Sequence, residues 1–309
     1  MKIAFIYLVH DDPELTARVA KRLIQHRNFD VFIHVDRKVD IDAFKEKLLG
    51  SPRVQLIVER KEIHWAGYSQ VEATISTIRQ ALESKDYDRL VILQGGSYPV
   101  WPNSRIAAYY ENLSGVQELR MSEPDLAVFN DVHKYRFNWY MDATSGTRKF
   151  QNLFTRFLFR ARLPFWRKPV QAPSTRGPLP IREAWAQVSI TGECARELLE
   201  FHQNESAYND YFAKTYAPDE SYIPTFIAGS KYSAQTVEGG RIRRARNSTD
   251  MLNTTYFEYP NTIRVFTDPL DLSFLLDRRQ PFLRKVDSRR SLELLDLIDL
   301  KTESSLGDF

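Results

Sequence analysis

What most constrains this chain is the alternation, through its N-terminal third, of short apolar runs with stretches of helical periodicity. The runs Lys2 to Leu8, Val31 to Val35, Val54 to Val58 and Leu90 to Gln94 are each bounded by polar or turn-forming residues and read as strands. Between the first two, Asp12 and Pro13 supply an N-cap and a first-turn proline, and Leu15, Val19 and Leu23 recur at helical spacing. Between the last two, Val71, Ile75, Ile78 and Leu82 mark one apolar helix face. Strand-helix alternation of this kind builds a largely parallel sheet with helices on its faces.

Such sheets bind ligands beyond the carboxyl ends of their strands. That rule directs attention to Val9-His10-Asp11, Asp36-Arg37-Lys38 and Gly95-Gly96-Ser97-Tyr98-Pro99. No Gly-x-Gly-x-x-Gly or Gly-x-x-x-x-Gly-Lys sequence follows any of the strands, which argues against a dinucleotide-binding or P-loop protein.

From about Met121 the pattern loses regularity, and Arg148 to Arg182 is an excursion rich in arginine, proline and aromatic residues. Helical periodicity returns from Cys194 to Phe201 and again from Leu292 to Leu300. The expected organisation is one domain over 1–287, with 1–120 as its regular strand-helix half and 121–287 as its less regular half. Residues 288–309 form a C-terminal helix and tail.

Composition sets outer bounds. With 43% hydrophobic and 27% charged residues among 309, the chain has the makeup of a globular protein. A net charge of +3 gives no reason to expect nucleic acid as a partner. The lone Cys194 cannot form an intramolecular disulfide and reads as a small buried apolar residue in a reducing compartment. No stretch reaches the roughly 20 apolar residues of a spanning helix, so any membrane contact is expected to be peripheral.

Three groups of residues suit chemistry. Asp36, at a strand end, can accept hydrogen bonds from a nucleobase or ribose, and Arg37 and Lys38 beside it can meet phosphate or solvent. Asp219 and Glu220, before an apolar helix start, suit either a first helical turn or a proton-accepting role toward a hydroxyl. Arg264 and the pair Arg284-Lys285 could stabilise the negative charge that grows on a departing diphosphate; alone, each reads as a surface charge.

Taken together, ordered motifs resemble the core-2 and I-branching β-1,6-N-acetylglucosaminyltransferase family, which also contains the peptide O-xylosyltransferases. They are Tyr7-Leu8-Val9-His10, His34-Val35-Asp36-Arg37-Lys38, Trp65-Ala66-Gly67-Tyr68-Ser69-Gln70-Val71-Glu72-Ala73, Pro218-Asp219-Glu220, and Arg264 followed by Phe282-Leu283-Arg284-Lys285-Val286-Asp287. The similarity runs from about residue 3 to 287. It implies an α/β, GT-A-type nucleotide-binding fold with a mixed, mainly parallel central sheet flanked by helices. It also implies an inverting transfer from a UDP-sugar that needs no cofactor and no metal.

By position, the resemblance makes Glu220 the general base and Arg264 and Lys285 the groups on the leaving diphosphate. Val9, His10, Asp36, Arg37, Trp65, Gly95 and Tyr259 fall near the donor. The expected donor is UDP-N-acetylglucosamine, then UDP-xylose or another UDP-hexose; the expected acceptor is a saccharide, glycolipid or glycoconjugate, reached in the cytoplasm or at the inner face of a membrane. This chain departs from the family pattern at Gln94-Gly95-Gly96-Ser97-Tyr98-Pro99, where relatives often carry an acid. It departs again at Glu183-Ala184-Trp185-Ala186-Gln187 and at Tyr259, where relatives have tryptophan.

Acceptor contacts are sought among His133-Lys134-Tyr135-Arg136, Trp139, Tyr140, Trp185 and Tyr259. Two readings stand for 153–168, where bulky apolar residues alternate with bases: a surface resting on an anionic membrane, or a helix packed on the body with its arginines in water. Two rival functions also stand. Asp40-Ile41-Asp42 has the spacing of a divalent-ion site, although acids are equally at home opening a helix. A noncatalytic glycan- or nucleotide-binding protein could use the same scaffold.

Overall fold

The computed structural model describes residues 1–309 except 49, 125–131, 144, 161–167, 245–247 and 305–309. Its first half runs β1 (Ile3–Val9), α1 (Pro13–Leu23), β2 (Phe29–Val35), α2 (Asp42–Leu48), β3 (Val54–Leu56), α3 (Ser69–Ser84), β4 (Arg89–Gln94), β5 (Ser97–Pro99) and α4 (Asn103–Asn112). There follow β6 (Met121–Ser122), α5 (His133–Arg136), α6 (Ser145–Arg160), β7 (Gln171–Ala172), β8 (Leu179–Pro180), β9 (Ser189–Thr191), α7 (Gly192–Asn204) and α8 (Ser206–Ala213). A 3-10 turn, Pro218–Glu220, leads into α9 (Tyr222–Ala228); β10 (Ile242–Arg243), β11 (Thr255–Tyr256), α10 (Leu272–Leu276), β12 (Phe282–Arg284) and α11 (Leu292–Ser304) complete the described elements.

The central sheet has the order β3-β2-β1-β4-β9, parallel except for β9, which runs antiparallel to β4. Every residue of β1 and β2 is buried because helices cover both faces, which is why β1 is a continuous apolar run and β2 departs from one only at Asp30 and His34. The two-residue period of a strand divides β1 between two cores. Ile3, Phe5, Tyr7 and Val9 join α1, α4 and α11, whereas Ala4, Ile6 and Leu8 join α3, α7, α8 and α9.

This division generates the binding crevice. From β1 the chain moves through α1 to β2 and then outward to β3, and α3 returns it across the other face to β4. Consecutive connections therefore leave β1 in opposite directions, and the sheet opens between the carboxyl ends of β1 and β4.

Local chemistry accounts for the element boundaries. Asp12 caps α1 by accepting the Leu15 N–H, with Pro13 in the first turn. Thr191 caps α7 by accepting from Cys194 N, and Cys194 is fully buried. The third strand ends at Leu56 rather than Val58: the Val58 N–H turns to the Gln80 side chain, and Val58 itself is 89% exposed. The helix expected at Leu292 to Leu300 continues to Ser304. Its Asp299 receives Arg18, Arg22 and the Tyr98 hydroxyl, tying the C-terminal helix to α1 and β5.

Candidate active site

A cavity of about 880 Å³ opens at the switch between β1 and β4, walled by Leu8, Val9 and His10 on one side and by Gln94 and Gly95 on the other. Asp36 and Lys38 reach it from the end of β2, Trp65 and Ala66 from the loop before α3, and Asp219 and Glu220 from the 3-10 turn. Segments far apart in the chain complete it, among them Lys134, Glu183 to Gln187, Tyr259 and Arg284-Lys285.

The loop after β2 is held rigidly. The Arg60 guanidinium donates to the carbonyls of Val35, Asp36 and Val39. Asp36 is buried, and its Oδ1 accepts the N–H groups of Lys38 (3.0 Å) and Ile63 (3.2 Å). His34 beneath it accepts the Lys61 N–H at Nε2, and burial drives its pKa down to about 4, so it is neutral. The Asp36 carboxylate is thus positioned by backbone donors, as a group that reads a fixed polar partner needs to be.

Two alanines in the wall, Ala66 and Ala217, have φ of 59° and 49° and are joined by a 3.0 Å bond from Ala217 N to Ala66 O. Residues with a Cβ avoid this left-handed region, so the junction between the Trp65 loop and the acidic turn holds local strain. It fixes the acids relative to the rim.

On that turn, the Glu220 carboxylate accepts from Lys134 Nζ at 2.8 Å, and the same ammonium lies 3.8 Å from Glu183. Tyr135 donates to Glu183 at 2.7 Å. Lys134 therefore sits between two carboxylates, only 9% of its side chain exposed. Asp219 also lines the cavity, and its buried Oδ1 has no hydrogen-bond partner among the described residues. Burial, reinforced by the charge of Glu220, pushes the Asp219 carboxyl up to about 7.

The basic wall is built at β12. Arg284 Nε donates to Gly95 O at 3.1 Å, across an antiparallel pairing that sets Arg284 opposite Ser97. Burial lowers the Arg284 pKa, while Tyr7, Asp219 and Asp11 oppose that effect. Lys285 follows, its peptide link to Arg284 cis, and its side chain lies over Gly96, whose φ is +80°. A Cβ at Gly96 would lie 2.7 Å from Lys285 Cγ, so the turn after β4 is glycine both for its backbone conformation and for the close approach of the lysine.

The family model of the Core-2/I-Branching enzymes matches residues 3–249. The chain belongs to this family of glycosyltransferases. No curated protein matches it. The matched span takes in the crevice, Lys134 and the acidic turn of the transferase and stops short of Arg264, Arg284 and Lys285.

Of the residues singled out by sequence, Val9, His10, Asp36, Trp65, Gly95, Glu220, Tyr259 and Lys285 line this one cavity of the transferase. Arg264 and Arg37 stand outside its wall. The Arg264 guanidinium is engaged by Glu258 at 3.0 Å and Asp271 at 2.7 Å and stacks on Phe266, while only its backbone carbonyl meets Lys285 N. Arg37 points to solvent, 3.9 Å from Glu62. The basic residue that stands beside Lys285 in the wall is Arg284.

An aromatic row forms part of the rim. Trp65, 74% exposed, packs edge-on against Tyr216, which packs against Trp139. Trp185 does the same on Phe257 deeper in the wall. Asp40 and Asp42 are elsewhere: Asp40 accepts the Asp42 N–H at the start of α2, and Asp42 pairs with Lys45, which lowers its pKa. They open a helix, as acids favoured by its dipole do.

Proposed function

We propose that the transferase moves a sugar, N-acetylglucosamine in the first instance, from a UDP-sugar to a saccharide or glycoconjugate hydroxyl with inversion and without a metal. The observation that carries this reading is the convergence of a carboxylate pair, Asp219 and Glu220, and a cationic pair, Arg284 and Lys285, on one cavity at the sheet's switch point.

In a single displacement, the acceptor oxygen attacks the anomeric carbon as the bond to the diphosphate breaks, and the hydroxyl proton passes to Glu220. Lys134 orients that carboxylate from the side facing Glu183. Two negative charges grow toward the UDP leaving group, and fixed cations in the cavity wall stabilise them without reorganising. Lys285 and Arg284 fill that role in this proposal; Arg264, committed to Glu258 and Asp271, supports the backbone of Lys285 instead. Asp36 reads the nucleoside, and Trp65 and Tyr216, backed by Trp139, offer apolar faces on which a pyranose can stack.

The test is UDP release from a panel of UDP-sugars with mixed glycan acceptors, each with and without EDTA. Release that survives EDTA, names one donor, and falls by about 100-fold or more in Glu220→Gln and Lys285→Ala is the expected outcome. Loss of release in EDTA would overturn metal independence. Unchanged release in Glu220→Gln would overturn the base, and UDP binding without turnover of any donor would favour a noncatalytic binding protein.

A further inference from the structure

Helix α6 is amphipathic with its faces reversed. A helix on the surface of a folded body ordinarily turns its apolar stripe inward. Among the described side chains of α6 the inward hydrogen bonds come from polar groups: Thr155 is buried and donates to Asn138 O at 2.7 Å, and Asn152 accepts the Tyr140 N–H at 3.1 Å. Phe150, Leu153 and Phe157, spaced to share one face, expose 74%, 67% and 60% of their surface.

Charge identifies what this stripe meets. The α6 sequence contains Arg148, Lys149, Arg156 and Arg160 and no acid. A second copy meeting through the same stripe would bring two such helices together and set like charges against each other. An anionic lipid surface instead attracts the bases and accepts exposed phenylalanine and leucine at headgroup depth. We propose that α6 docks the protein peripherally on an anionic lipid bilayer.

The helix also stands beside the cavity. The segment it grips, Asn138 to Tyr140, contains Trp139, the inner member of the row that leads through Tyr216 to Trp65 at the rim. Asp142, in the turn before α6, accepts both the hydroxyl and the N–H of Ser69 at the head of α3. Docking through α6 therefore brings the cavity rim close to the membrane surface. Resting on the transferase reading, this makes a glycan carried on a lipid the acceptor class.

Vesicle cosedimentation, run without donor or acceptor so that it is independent of catalysis, tests the docking. Wild type is expected to pellet with phosphatidylglycerol-containing vesicles and to bind pure phosphatidylcholine at least about 10-fold less, with salt weakening the former. The triple variant Phe150→Ser, Leu153→Ser, Phe157→Ser changes only exposed side chains and is expected to keep its melting temperature while losing about 100-fold or more in partitioning. Equal pelleting of wild type and the variant, or a wild type that stays in the supernatant with phosphatidylglycerol, overturns the proposal. So does a wild-type dimer in sedimentation velocity that the triple variant abolishes.

Discussion

Replacing Asp219 by asparagine should stabilise the unliganded protein, and by an amount that depends on pH. The carboxyl is pushed from its ordinary 3.8 up to about 7, first by burial and then by Glu220. Between those values the folded protein holds a proton that the unfolded chain releases, so the stability contributed by Asp219 is complete below about pH 4 and is lost as pH rises through about 7. Converted at about 1.4 kcal/mol per pH unit, the displacement sets an upper bound of about 4 kcal/mol. Water in the cavity screens the carboxylate, and about 2 kcal/mol is the reasonable expectation. Asparagine has nearly the same shape and carries no charge, so at pH 8 Asp219→Asn should melt about 3 °C above wild type. That gap should narrow progressively as the buffer is taken down to pH 5. Circular dichroism melts across that range are sufficient. A variant no more stable than wild type at pH 8, or a gap that does not change with pH, would refute the reading that burial and Glu220 disfavour the Asp219 charge.

Glycines provide the remaining tests. Gly96→Ala forces a Cβ into the left-handed region and to 2.7 Å from Lys285 Cγ; the expected cost is about 1–2 kcal/mol in a melt together with at least about 10-fold weaker UDP binding by calorimetry, because the lysine is displaced. Unaltered UDP affinity would separate Lys285 from the nucleotide. Gly192→Ala sets a Cβ 1.9 Å from the Tyr87 carbonyl oxygen at the start of α7, a backbone contact that cannot rotate away, and should cost about 3 kcal/mol or more. Its control is Gly146→Ala in α6, where no atom lies within 4 Å of the new Cβ and the gain should be about 0.5–1 kcal/mol; similar melts for the two variants would contradict this packing.

The sheet was legible because strands covered on both faces are predominantly apolar, and because α1 and α3 display their buried stripes at regular spacing with a capped start on α1. Val58 misled for a related reason: a β-branched residue next to a strand satisfies the apolar pattern, but its N–H has a competing acceptor in the Gln80 side chain, which no local pattern can weigh.

 That acceptor is 22 residues along the chain and 3.0 Å away in space, a separation that only the packing of α3 on the sheet can close.

The site was legible in its residue types and not in its pairings, and the reason lies in chain separation. Glu220 stands out beside Asp219, yet its partner Lys134 is 86 residues earlier, and nothing local to His133-Lys134-Tyr135-Arg136 distinguishes the base that turns inward. Arg264 and Arg284 show the same limit from the other side. Either guanidinium suits a diphosphate by chemistry, but Glu258 and Asp271 engage the first, whereas the second is drawn to the cavity by its bond to Gly95 O, 189 residues away. In α6 the period of the stripe is visible in sequence and its direction is not: Phe150, Leu153 and Phe157 would serve equally as an inward face, and the inward choice fell to Asn152 and Thr155 because the backbone groups of Tyr140 and Asn138 needed polar partners. Periodicity tells which residues share a face; which face is buried depends on the hydrogen-bonding needs of the segment it packs against.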